Sequence, residues 1–190
     1  MSKTTLKGGA LLAPIPPVMV SCSDGEKDNI ITIAWSGMLA TQPPTTYISV
    51  RPSRFSYEMI KKSGEFVINL TDRELTRAAD FCGIYTGAKV DKFEKCKLTK
   101  EKASKVSCPM IAESPLSIEC KVREIIPMGS HDVFVADILA VNVKDGILDE
   151  TGKICMEKAS LTAYAHGEYF ALGRSLGRFG FSATKKKKRR

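Results

Sequence analysis

Between Leu116 and Val122 the chain alternates without a break: Leu116, Ile118, Cys120 and Val122 are apolar, while Ser117, Glu119 and Lys121 are polar. Successive side chains of a strand point to opposite faces, so this period of two specifies a strand with one buried and one wet face. Pro127-Met128-Gly129-Ser130 then turns the chain into a second β-prone run, Val133 to Val143, which predicts an antiparallel hairpin. Other short β-prone runs precede it. Val18 to Cys22 follows a proline-rich entry, and Ser23-Asp24-Gly25 turns it toward Ile30 to Trp35, where Ile31, Ile33 and Trp35 share one face. Tyr47 to Arg51 begins after Pro43-Pro44 and ends at Pro52, and Phe66 to Leu70 adds one more run.

Helical signals are fewer. Ser56 is placed to cap a short helix carrying Met59 and Ile60, with Gly64 as its left-handed stop. Thr71 and Glu74 have capping-box spacing ahead of Leu75, Ala78, Ala79 and Cys82, and Gly83 reads as the end of that helix. From Gly83 to Met110 the chain is lysine-rich and weakly periodic, with a single turn expected at Asp91-Lys92-Phe93-Glu94. Long ordered connections tend to be functional. Strands outnumber helices and no strand-helix-strand alternation runs through the chain, which predicts a mainly β fold, an antiparallel barrel or sandwich with a few short helices.

At 190 residues and 20.8 kDa the chain suits one domain, residues 1–184, followed by a basic tail at 185–190. No apolar run reaches the roughly 18 residues needed to span a bilayer, and Leu11 to Val20 is broken by Pro14, Pro16 and Pro17, a poor signal-peptide core. The expectation is a soluble, cytoplasmic protein. The formal charge of +8 is mostly the tail: without its six residues, 23 basic side chains face 21 acidic ones. Such a run reads as a solvated tail, since phosphate attraction alone is non-specific. The six cysteines include no Cys-x-x-Cys pair, and His131 and His166 are the only histidines, so no metal site is signalled. The thiols read as small buried side chains in a reducing compartment.

Familiar nucleotide motifs fail. Gly146 to Gly152-Lys153 has five intervening residues where a P-loop has four, and Ile154 stands where a Ser or Thr would hold magnesium. Gly173, Gly177 and Gly180 lack dinucleotide-fingerprint spacing and follow no strand. There is no Gly-x-Ser-x-Gly elbow.

An ordered series of segments does point somewhere. Ala13 to Ser21, Asn29 to Ser36, Pro43-Pro44 leading into Ile48 to Pro52, Phe66 to Leu70, Gly129 to Ala136 and Tyr169 to Gly173 resemble, in order and spacing, the flavin reductase-like FMN-binding split-barrel family, its flavoredoxin branch in particular. The resemblance spans Pro14 to Phe181. It implies a six-stranded antiparallel Greek-key barrel, a homodimer, and FMN held non-covalently near the subunit interface. It also implies an oxidoreductase or electron carrier whose donor is a reduced nicotinamide or a reduced iron-sulfur protein. The basic tail is outside the family pattern. From another class, a non-catalytic barrel binding nucleic acid through basic surface and tail competes, but the aromatic stacking stripe such a barrel needs is missing.

FMN requires donors for a dianionic phosphate and flat cover for its ring. Arg51, Ser53, Arg54 and Ser56 sit at a strand-to-helix junction, where free amides and the helix dipole attract phosphate; the plainer alternative is a serine cap with two solvated arginines. By resemblance, flavin contacts fall on Asn29, Trp35, Ser36, Gly37, Lys92, His131 and Tyr164. Each has an ordinary alternative: a turn for Asn29, core packing for Trp35, solvation for Lys92, a surface position for His131 and a dimer-interface aromatic for Tyr164.

Overall fold

The computed structural model describes residues 1–183, so the basic run Lys185–Arg190 lies outside the described residues. In chain order the strands are β1 (Val18–Ser23), β2 (Asp28–Ile33), β3 (Ser36–Thr41), β4 (Pro44–Val50), β5 (Glu65–Leu70), β6 (Lys100–Glu101), β7 (Met110–Ile111), β8 (Leu116–Pro127), β9 (Asp132–Val143), β10 (Thr162–Ala165) and β11 (Glu168–Ala171). The helices are α1 (Phe55–Ser63), α2 (Thr76–Ile84) and α3 (Lys92–Lys95). One antiparallel sheet runs in the order β2-β1-β5-β8-β9-β4-β3. It contains every strand expected from sequence plus β3, which shows no clean alternation and is held by pairing with β4 across the turn Gln42-Pro43. Pro44 therefore opens a strand instead of interrupting the chain, a position that needs no ladder donor.

The sheet curls until its β2 end meets β4. Beside that seam Ser49 N donates to Trp35 O at 2.8 Å, which carries the β3–β4 pairing one residue beyond Ser36. Inside the curl lie Val18, Val20, Ile31, Ile33, Ile48, Phe66, Cys120 and Phe134, with Tyr57, Met59 and Ile60 of α1 closing one end. Outside, Met19 and Ile30 are covered by Leu75, Ala79 and Cys82 of α2 together with Phe93. Covering on both faces explains why β1 is buried at every position. Burying these apolar side chains supplies the main driving force, about 1.5–3 kcal/mol for each large one.

Three local expectations need correction. Arg54, not Ser56, occupies the cap position of α1, and its guanidinium, which has no acceptor, makes no cap bond; the Ser56 hydroxyl instead accepts from Asn29 Nδ2. The α2 start is tied by Asp72 Oδ1, which accepts from Leu75 N at 2.9 Å, in place of the Thr71–Glu74 box. Gly83 lies within α2, which ends at Ile84. Gly64 does stop α1 with φ 69°, and Asp91 does cap α3. Among the described residues no helix is long and apolar enough to cross a membrane.

Candidate functional site

The seam between β2 and β4 opens into a cleft of about 370 Å³, walled by Ile31, Thr32 and Ile33 on one side and Ser49 and Val50 on the other. The β2 edge facing it is only partly covered: Ile30 O accepts from Lys92 Nζ at 2.6 Å. Edge-strand peptide groups alternate in direction, so the Thr32 peptide, two residues on, points the same way, toward the cleft.

At one end stand two parallel rings. Trp35 and His131 have centroids 6.4 Å apart and planes 4° apart. His131 directly precedes β9, and its Nδ1 shares a 2.9 Å hydrogen bond with Ser130 Oγ. Burial, then the charges of Arg51 and Arg54, hold its pKa below the usual histidine value, so the ring is neutral at pH 7. Trp35 is 45% exposed, which settles it as a wall residue and not barrel core. Tyr164 completes this end, edge-on to Tyr169 at 5.3 Å. Burial and the nearby Asp80 carboxylate push the Tyr169 hydroxyl up to about 12.

The other end narrows into a polar recess of about 70 Å³ at the start of α1, lined by Asn29, Ser53, Arg54, Ser56 and Lys92. The Arg54 and Arg51 guanidiniums are exposed, and among the described residues neither has an ion-pair partner. Asn29 is buried, and its Nδ2 donates to Ser56 Oγ at 2.8 Å. Lys92 is buried too, with two of its three N–H donors given to Ile30 O and Cys82 O at 2.6 and 2.8 Å. Burial holds its pKa below the usual lysine value. Gly87 closes over Asn29: a Cβ there would lie 2.2 Å from Asn29 Oδ1, so only glycine permits this approach.

The flavin reductase-like domain model matches residues 12–173. This chain belongs to the flavin reductase-like family. Flavoredoxin of Desulfovibrio vulgaris superposes with a TM-score of 0.90 at 31% identity, covering 96% of this chain and 100% of that one. A protein of Archaeoglobus fulgidus is 35% identical over 124 residues, 65% of this chain and 70% of its own. An FMN reductase (NADH) of Rhizobium rhizogenes is 22% identical over 133 residues, 64% of this chain and 75% of its own. By family the protein is a flavin-binding oxidoreductase.

The residues present suit such a group. A flat cleft with aromatic walls leads to a cationic recess beside a helix start that no side chain caps, which matches a planar ring joined to a phosphate. Of the residues singled out from the sequence of this flavin reductase-like chain, Trp35, Arg51, Arg54, His131 and Tyr164 line the cleft. Asn29, Ser53, Ser56 and Lys92 line the recess, which shares Arg54. Ser36 lies instead on an adjoining cavity of about 290 Å³, between Tyr47 and the Ala10–Ala13 segment. Gly37 lines none of these and packs under the Tyr47 ring, where a Cβ would come within 3.0 Å.

Sequence reasoning missed Thr32, Asp80, Ile84, Gly87 and Tyr169. Thr32 and Ile84 face the cleft from elements that were recognised, but nothing in their residue types marks them. Gly87 carried a weak signal, a glycine in a connection already suspected of function.

Proposed function

We propose that the protein binds FMN non-covalently and uses it to take up and pass on reducing equivalents, with a reduced nicotinamide or a reduced iron-sulfur protein as donor. One observation carries this reading: the unpaired Arg54 guanidinium and an uncapped helix start mark a recess beside a cleft that is lined by Arg51 and walled by parallel Trp35 and His131. The small recess favours FMN, since about 70 Å³ accommodates a phosphate and not an adenosine half. The name of the Rhizobium relative points the same way.

FMN would supply the redox chemistry, and the chain supplies position and electrostatics. Arg54 and Arg51 hold the phosphate charge, helped by the α1 dipole. Asn29 and Ser56, locked to each other, fix the recess. Lys92 braces β2 against α2 and keeps a positive charge behind the recess. Neutral His131, with Nδ1 engaged by Ser130, presents Nε2 as its remaining polar atom, suited to a hydrogen bond at the ring edge. Trp35 and Tyr164 exclude water from the ring face.

The assembly we propose is a homodimer, supported by exposed Met38 and Leu39 on β3 and Leu139 and Val141 on β9, more apolar surface than a lone barrel has use for. Six free thiols agree with a cytoplasmic setting. The test is reconstitution: purified protein should take up FMN with a shifted visible spectrum and bind riboflavin much more weakly, because riboflavin lacks the phosphate. Protein that stays colourless with excess FMN overturns the assignment, and a monomeric mass by light scattering overturns the dimer.

A further inference from the structure

The charge of this chain is concentrated in one place. Residues 85–106 hold seven lysines against Asp91, Glu94 and Glu101, whereas the rest of residues 1–184 holds 16 basic side chains against 18 acidic ones. Only Lys92 of the seven is buried. Asp91 is occupied as the cap of α3, and Lys100 pairs with Asp28 at 2.8 Å. Lys89, Lys95 and Lys97 remain exposed, with no carboxylate partner among the described residues.

This segment begins at the rim of the flavin cleft. Ile84 lines the cleft yet is 64% exposed, and Tyr85 lines the phosphate recess yet is 52% exposed. The Tyr85 ring is braced by Phe81, with centroids 4.3 Å apart. Phe93 anchors α3 against α2 and β2, so the lysines of the segment are carried on structure fixed beside that rim.

We propose that Ile84 and Tyr85, flanked by Lys89, Lys95 and Lys97, form the docking surface for a small acidic iron-sulfur protein that exchanges electrons with the flavin. The proposal rests on the FMN reading above and adds the partner and its footprint. Electron-transfer encounters are small and short-lived, with a little apolar contact set in complementary charge. A concentrated positive patch steers an acidic partner and raises its association rate about 10- to 1,000-fold at low salt. A nicotinamide, by contrast, has to enter the cleft and has no use for lysines outside it. Each encounter oxidises one cluster by one electron. Two encounters therefore deliver the two electrons the flavin accepts, with protons taken from solvent.

The test uses the full-length FMN-loaded protein and a reduced, acidic ferredoxin carrying [4Fe–4S] clusters, mixed anaerobically while flavin absorbance is followed. The second-order rate constant should fall at least about tenfold between low salt and roughly 0.3 M, where charges are screened within a few ångströms. Lys89→Glu/Lys95→Glu should lower the low-salt rate about tenfold and flatten the salt dependence, with FMN affinity and reduction by dithionite unchanged. A ferredoxin rate indifferent to salt and to both substitutions overturns the docking surface while leaving the FMN reading intact. Failure to hold FMN at all removes both.

Discussion

The recess beside the start of α1, where we propose that the FMN phosphate binds, depends on an approach that a single methyl group forbids. In a Gly87→Ala variant the new Cβ would stand 2.2 Å from Asn29 Oδ1, 2.5 Å from its Cγ and 2.7 Å from its Nδ2, against an ordinary contact of 3.4–4 Å. Something must therefore shift by more than about 1 Å. Asn29 is 2% exposed, its backbone is paired with Cys22, and its amide is bonded to Ser56, so it cannot swing away without losing that bond. Leaving the buried amide unsatisfied costs roughly 1–3 kcal/mol. If the 85–87 segment moves instead, the wall of the recess moves with it. Either way FMN should bind about 5- to 150-fold more weakly, at about 1.4 kcal/mol per decade. Gly146→Ala serves as the control, because a Cβ there meets nothing within 4 Å and the residue lines neither the cleft nor the recess. Calorimetric titration with FMN, beside thermal melts of both variants, makes the comparison. A folded Gly87→Ala protein that binds FMN as tightly as the parent would refute the geometry on which the recess is built.

Arg54→Ala should weaken FMN binding by about 1–3 kcal/mol while leaving riboflavin binding unchanged, and an equal loss for both ligands would move Arg54 away from the phosphate. Ser56 is best left intact in that experiment, since its hydroxyl holds Asn29. His131→Ala should lower the flavin midpoint potential, by roughly 30 mV for each 1.4 kcal/mol of lost preference for the reduced form, read by dye-coupled titration; an unchanged potential would restrict His131 to binding. Away from the site, burial alone would raise the Glu119 pKa, but donors from Ser104, Asn142 and Lys105 reverse that and bring it to about 2 from 4.5. A depressed carboxyl pKa gives stability that is whole above pH 4.5 and is lost as pH falls toward 2, roughly 3 kcal/mol in all, and urea titrations from pH 7 to 3 should show that slope vanish in Glu119→Gln.

What the sequence reveals and conceals here follows from which atoms do the work. The hairpin of β8 and β9 is legible as two strands from the alternation of residue types, but the face expected to be wet is not: Ser117 and Glu119 are buried, because the 104–106 segment folds over them and its backbone N–H groups satisfy the Glu119 carboxylate, and only Lys121 of the three is exposed. β3 is not legible, because Ser36–Thr41 is exposed for most of its length and gains its place by pairing with β4, an interaction between backbones. The start of α2 departs from the capping-box spacing: Leu75 occupies the cap position without a side-chain cap bond, and Asp72, not Thr71, carries the side-chain oxygen that takes Leu75 N in the turn before the helix. Within the site, charged and aromatic positions such as Arg54, Trp35 and His131 could be singled out by residue type aided by resemblance. Lys92 could be picked out, but its burial as a brace between Ile30 O and Cys82 O could not, since nothing local distinguishes it from the six solvated lysines around it.

The position of the cleft is itself a consequence of how the barrel stops short of closing. A full ladder between β2 and β4 would satisfy every edge peptide and fill the seam with backbone, leaving no wall for a ligand. Here the β2 edge stays largely unpaired: the Lys92 ammonium takes Ile30 O, and Ser49 N takes Trp35 O where the β3–β4 pairing begins beyond the strand. The stretch between those contacts is the cleft wall. A molecule that binds only the folded chain adds stability in proportion to the logarithm of its concentration over Kd, so a cofactor seated there reinforces the sheet where its own hydrogen bonding is thinnest. Selection for a tight cofactor site and selection for a stable barrel then act on the same few residues, since Lys92 and the Asn29–Ser56 pair, which brace β2 against α2 and α1, are also the ones that line the recess proposed for the phosphate.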